Sequence, residues 1–179
     1  MTYRPICDVW VLARSKVPYF GAYPAGFLHR ARALLGVGPN DAVLHVCAGK
    51  VRDYPYSGFG PCDWTLDLDP ACKPDFLHDA REPLPLNPSN NGGLNWPAVL
   101  VDRPYGPEEA DHYTPGRDCL PTANHLLRNA LSVVDAGRKV GVLDYLWPHP
   151  GKLGKEVAVV AVGTGRNNRA RWFTVFEKL

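Results

Sequence analysis

The sequence has no C-x-x-C pair, no H-x-x-x-H spacing and no apolar run near the roughly 20 residues that span a bilayer. Its five cysteines, Cys7, Cys47, Cys62, Cys72 and Cys119, are odd in number and scattered, which excludes a disulfide framework and a structural zinc site. The opening residues, MTYRPICDVWVLARSK, lack the basic, apolar and small-residue order of a secretory signal, so the expected location is the cytoplasm, with no membrane partner. Repeats and low-complexity tails are also missing. Neither sign of charge dominates: 20 Lys and Arg stand against 18 Asp and Glu, and the net charge of +2 decides nothing about partners.

What is present is an ordinary globular composition, 45% hydrophobic and 21% charged, in 179 residues. That length favours one domain, 1–179, with an N-terminal segment and helix over 1–41 and a sheet core over 42–179. The basic residues are unevenly placed. GRNNRAR carries Arg166, Arg169 and Arg171 near the C-terminus, either a solvated surface cluster or a nucleic-acid contact.

From Val43 onward, apolar runs and turns alternate in the rhythm of an α/β sheet. Seven strands are expected: AVLHVCAG (42–49), WTLDLDP (64–70), PDFLHDA (74–80), AVLVD (98–102), KVGVLDYLWP (139–148), EVAVVAVGTG (156–165) and RWFTVFEKL (171–179). Two helices are expected. One places Phe27, Leu28, Ala31, Leu34 and Leu35 on one face; the other groups Leu126, Leu127, Ala130, Leu131 and Val134 and ends at Gly137. A shorter helix begins near Pro107, and the proline- and asparagine-rich 81–97 reads as a loop.

Mostly parallel strands put Asp67, Asp69, Asp79 and Asp102 along one rim, where open α/β sheets bind ligands. A glycine turn at Gly49, followed about 20 residues later by an acid ending the next strand, is the layout of a nucleoside site. Asp67 then takes ribose hydroxyls, with Asp69 as its neighbouring substitute, and Asp79 takes an adenine amino group, because a carboxylate only accepts. The alternative is that these aspartates cap helices or face water. For Asp102 the alternative is a helix N-cap, since Pro107, Glu108 and Glu109 follow; for Tyr105 it is core packing.

These stretches, in order, resemble the class I S-adenosylmethionine-dependent methyltransferases, and among them the amino-methyltransferases of adenine N6 and cytosine N4. Their [D/N/S]-P-P-[Y/F/W] marker after the fourth strand is matched by Asp102-Arg103-Pro104-Tyr105. The resemblance covers roughly residues 16 to 177. It implies a Rossmann-like, mostly parallel seven-stranded sheet with a C-terminal antiparallel hairpin and helices on both faces. It also implies S-adenosylmethionine as cofactor, held by His45, Cys47, Ala48 and Gly49 of the first motif, Asp67 and Asp69 of the second, and Asp79 and Ala80 of the third. Tyr23 and Gly26, in YFGAYPAGFLHR, fall in the segment that closes over the methionine end. Asp102, with a backbone carbonyl just after it, is expected to accept hydrogen bonds from the target amine. Pro104 would stiffen the turn and Tyr105 would stack on the base.

The chain departs from the family at three points. His45 stands where the first strand carries an acid, Val51 where a second glycine belongs, and Arg103 where the marker has its first proline. Arg103 is expected to reach a phosphate. Arg166, Asn168 and Arg169 are further candidate substrate contacts. No insert is long enough for a separate target-recognition domain, so a DNA or RNA substrate implies low specificity or a partner protein that supplies it. Pro61-Cys62 looks like the nucleophile pair of cytosine-C5 enzymes but precedes the second strand, where chance accounts for it. Competing functions are a small-molecule or protein methyltransferase on the same sheet and a non-catalytic binding subunit.

Overall fold

The computed structural model describes residues 4–16, 22–54, 56–88, 95–113, 120–165 and 169–179, excluding the side chains of residues 109, 112 and 113. Eight strands form one sheet: β1 (Ile6–Leu12), β2 (Val43–Val46), β3 (Trp64–Asp67), β4 (Phe76–Leu77), β5 (Trp96–Val101), β6 (Val134–Asp144), β7 (Gly154–Thr164) and β8 (Arg171–Lys178). Their order is β1-β7-β8-β6-β5-β2-β3-β4. All neighbours are parallel except β8, which runs antiparallel between β6 and β7. The carboxyl ends of the seven other strands therefore share one rim with the amino end of β8.

The expectation of seven strands is corrected to eight. The addition is β1, parallel to β7 with Ile6 opposite Ala158 and Leu12 opposite Thr164. Its inner side buries Trp10 and Leu12, while Val9 and Val11 are exposed, so hydrophobicity along this stretch does not mark a buried strand. Other limits move by smaller steps. Residues 74–80 contribute only the two-residue β4, and β5 begins inside the expected loop, at the fully buried Trp96. Val134 leaves the helix and opens β6, opposite Trp96.

Strand alternation sorts side chains to two faces. Val43, Ala98, Leu100, Leu143, Phe173 and Val175 pack on one side with Phe27, Leu28, Ala31 and Leu35 of helix α1 (Phe27–Leu35). Leu44, Val46, Val99, Val101, Val140 and Val142 pack on the other with Leu126, Leu127, Ala130 and Leu131 of α3 (Ala123–Ser132). The helices thus cover opposite faces, as expected. Thr122 starts α3 by accepting the His125 amide at 3.2 Å. Burial of Leu126, Leu127 and Leu131 holds the helix down at about 1.5–3 kcal/mol each. The short α2 (Pro107–Tyr113) follows β5. Among the described residues no helix is long and apolar enough to cross a membrane.

Candidate functional site

Chain order reverses direction between β2 and β5, and a crevice opens at the carboxyl ends of such a pair. β2 enters it through Cys47, Ala48 and Gly49. Cys47 and Gly49 have left-handed backbones (φ 57 and 53), so the chain turns sharply; only the glycine takes that conformation without strain. The Gly49 amide donates to the Asp67 carboxylate at 2.7 Å, fastening the turn to the end of β3. On the other side, the Asp102 amide donates to the Val46 carbonyl at 3.2 Å, fastening the residue after β5 to β2.

Asp102 is partly buried, and its carboxylate accepts the Tyr105 hydroxyl at 2.6 Å. Arg171, from β8, donates to the same hydroxyl at 3.0 Å. A relay therefore runs from guanidinium to phenol to carboxylate and fixes how Asp102 faces the crevice. Burial pushes the Asp102 carboxyl up to about 6, against the pull of the Arg171 charge and the Tyr105 bond. The N-cap alternative fails: α2 begins at Pro107, and Asp102 is bonded to Tyr105. The Tyr105 ring lies 4.6 Å from that of Tyr145, next to the end of β6.

Three of the four expected acids act on one group, the Cys47 thiol. Burial raises the Cys47 thiol, and the charges of Asp67, Asp102 and Asp79 all act on it as well, so it lies in the field of all three. They are not equally available. Asp67 accepts the Gly49 amide at 2.7 Å and the Asp69 amide at 2.9 Å, one on each oxygen, and burial raises its carboxyl. Asp69 caps a 3-10 turn by accepting the Ala71 amide at 2.9 Å. Asp79 is clasped by the Arg81 backbone and guanidinium, which holds its carboxyl low and uses most of its acceptor capacity. Ala80 is buried beside it, its carbonyl bonded to Asn129.

Three expectations change. His45 is a buried side chain whose Nε2 lies 3.3 Å from Asp63, below the rim, where Asp63 also takes Arg32, the Val43 amide and the Gly60 amide. Burial acts to raise Asp63, but the bonds from His45, Gly60 and Arg32 hold its carboxyl below the usual value. His45 thus belongs to a structural cluster, not to the crevice. Val51 does not crowd the turn, because its side chain is packed in the core on the α1 side. Arg103 does not reach for phosphate. It is 3% exposed, donates to Asp144 at 2.6 Å and 3.3 Å, and bonds the Pro104 carbonyl at 2.8 Å. An ion pair to the end of β6 therefore stiffens the turn where the marker has its first proline.

Gly26 is the residue before α1, with φ 76. Tyr23 is buried against Phe27 at 5.4 Å, and among the described residues its hydroxyl has no hydrogen-bond partner. Burial raises that phenol, with Asp102, Tyr105 and Cys47 adding to the shift. Arg169 lies with its guanidinium 5.9 Å from the Tyr145 ring centroid. Arg166 and Asn168 lie outside the described residues. Arg171, Tyr145 and Asp144 were not foreseen. Asp144-Tyr145 carried the signal that marked the other acids, a carboxylate at a strand end, and Arg171 lay inside the basic cluster.

By the chemistry of its groups, the donor set suits the ribose and the reactive end of S-adenosylmethionine better than the adenine. The Asp67 carboxylate is an acceptor of the kind ribose hydroxyls need, and the Tyr23 hydroxyl and Asp102 carboxylate are polar groups of the kind that could face a sulfonium and an amine. The adenine end fits less well, since Arg81 already engages Asp79.

No family model matches the chain, and no curated protein matches it. Solved structures share its fold. The rRNA methyltransferase AviRa from Streptomyces viridochromogenes superposes with TM-score 0.56 at 14% identity, over 92% of this chain and 88% of that one. TrmN from Thermus thermophilus gives 0.50 at 18%, over 85% and 48%. A SAM-dependent methyltransferase from Streptococcus mutans, described as putative, gives 0.51 at 9%, over 87% and 50%. The chain thus spans about half the length of the last two. The fold is Rossmann-like, a parallel sheet with an antiparallel β8, and it is shared with these methyltransferase structures.

Proposed function

We propose that this protein is an S-adenosylmethionine-dependent methyltransferase that N-methylates an exocyclic amino group of a nucleic-acid base, with RNA the favoured substrate. The observation that carries this is the Asp102 carboxylate at the switch point, oriented by Tyr105 and Arg171. Its like-fold companion AviRa is an rRNA methyltransferase, which favours RNA over DNA.

When bound, the cofactor supplies an electrophilic methyl group on a sulfonium. Asp67 holds its ribose, and the turn from Cys47 to Gly49 holds its body. Asp102, ionised above about pH 6, accepts a hydrogen bond from the target amine and so aims the nitrogen lone pair. The displacement needs alignment more than proton transfer, and alignment can supply several kcal/mol of rate. Tyr105, its hydroxyl tied down, offers a ring at the mouth for a base, a contact worth about 1–3 kcal/mol. The Arg103–Asp144 pair keeps the turn from relaxing.

The test is labelled S-adenosylmethionine with RNA, DNA or cell extract, followed by digestion to nucleosides. Label should enter an N-methylated nucleoside. Asp102→Ala should lower turnover at least a hundredfold with little change in cofactor affinity, while Asp67→Ala should chiefly weaken the cofactor. Label found only in small molecules or protein would refute base methylation.

A further inference from the structure

The rim is divided in charge by its topology. On the β2–β3–β4 side it carries Asp67, Asp69 and Asp79. On the β1–β7–β8 side the side chains following or opening the strands are basic: Arg14 and Lys16 after β1, Arg169 and Arg171 at the start of β8. No acidic residue lies among the described residues 13–16, 163–165 and 169–172 on that side. The acids of β7 and β8, Glu156 and Glu177, lie toward the opposite edge of the sheet, near Gly154 and Lys178. Asp144 ends β6 but is spent on Arg103.

These cations become neighbours only through the fold. β1 is parallel to β7, with Leu12 opposite Thr164, so Arg14 and Lys16 emerge beside the β7–β8 hairpin that carries Arg169. The end of β1 is also tied to the segment before α1: the Ala25 amide donates to the Ala13 carbonyl at 3.0 Å, two residues on from Tyr23. From β1 across β7 and β8 to β6 is three strand spacings, about 14 Å. At the inner end Arg169 stands by the Tyr145 ring, and Tyr145 packs against Tyr105 beside Asp102.

We infer that this basic side of the rim is a track for the phosphodiester backbone of a single, unpaired nucleic-acid strand, with Arg14, Lys16 and Arg169 facing phosphates. Charge complementarity selects a polyanion, and a ring flanked by cations suits strand rather than duplex contact. A partly buried Asp102, set beside the Tyr105 and Tyr145 rings, is reached most readily by a base that can leave its stack. The inference rests on the nucleic-acid reading above and adds where and in what form the strand lies.

The test is binding without cofactor, by fluorescence anisotropy, of a labelled single-stranded RNA, the same sequence as DNA, and a DNA duplex, across salt concentrations. The wild type should prefer the single strands, and the RNA and DNA arms identify the sugar. The Arg14→Gln/Lys16→Gln/Arg169→Gln triple variant should bind about tenfold or more weakly. Its slope of log affinity against log salt should be shallower by about 2, since each phosphate contributes about 0.7. All three side chains are exposed, so thermal melting should match the wild type. Equal affinity and slope in wild type and variant, tighter binding of duplex, or no binding by the wild type would overturn the track. Strand binding as expected, with no methyl reaching any nucleoside, refutes base methylation and leaves the track standing.

Discussion

Replacing Asp102 by Asn should stabilise the protein, and by an amount that depends on pH. The Asp102 carboxyl rises from the ordinary 3.8 to about 6 because burial opposes its charge more than Arg171 and Tyr105 favour it. A carboxyl raised in the native state keeps its proton there after the unfolded chain has lost it. Stability from this group therefore falls as pH rises through 3.8 and levels off above 6. At about 1.36 kcal/mol per pH unit, the cost is about 1 kcal/mol at pH 4.5 and about 3 kcal/mol at pH 7.5. Asn cannot ionise but still offers an oxygen to the Tyr105 hydroxyl, so it escapes the cost and keeps the bond. Urea unfolding of both proteins at the two pH values cancels every other titrating group. The advantage of Asp102→Asn should grow by about 2 kcal/mol from pH 4.5 to 7.5. A constant difference would show that the ionised carboxylate carries no penalty; a difference swinging toward the wild type would show that Arg171 overcompensates the burial. Either would refute the claim that the fold holds a costly charge at this crevice.

Arg171→Met removes both the donor to Tyr105 and the cation facing Asp102. The Asp102 midpoint, followed by carbon NMR of the carboxyl, should move above 6, and the acid limb of methyl transfer should move with it. Arg171→Lys should shift it less, and an unmoved midpoint would dissolve the relay. Asp144→Ala leaves the buried Arg103 unpaired and should cost about 3–5 kcal/mol in urea unfolding. Arg103→Met/Asp144→Leu should recover most of that, whereas a single variant within 1 kcal/mol of wild type would mean the pair does not hold the turn.

Much of the fold was legible because its signals are local. The apolar runs at Val43–Val46 and Ala98–Val101, the glycine turn, the helical spacing of Leu127 and Leu131, and acids at strand ends each read within a few residues. β1 was not legible, since its partner begins at Gly154 and its outer face exposes Val9 and Val11. His45 was misplaced for a related reason: the carboxylate that claims it, Asp63, lies 18 residues away across a turn.

By itself, then, the sequence determined a parallel sheet with a row of carboxylates at strand ends, because strand period and turn chemistry are properties of neighbours in the chain. Only the tertiary structure decided which of those charges are spoken for. Arg103 meets Asp144 across 41 residues and Arg171 meets Tyr105 across 66. Asp79 is neutralised by Arg81, while Asp102 is left ionisable at the crevice. Pairing energies depend on distance in space and on burial, and neither is written in the spacing of residues along a chain.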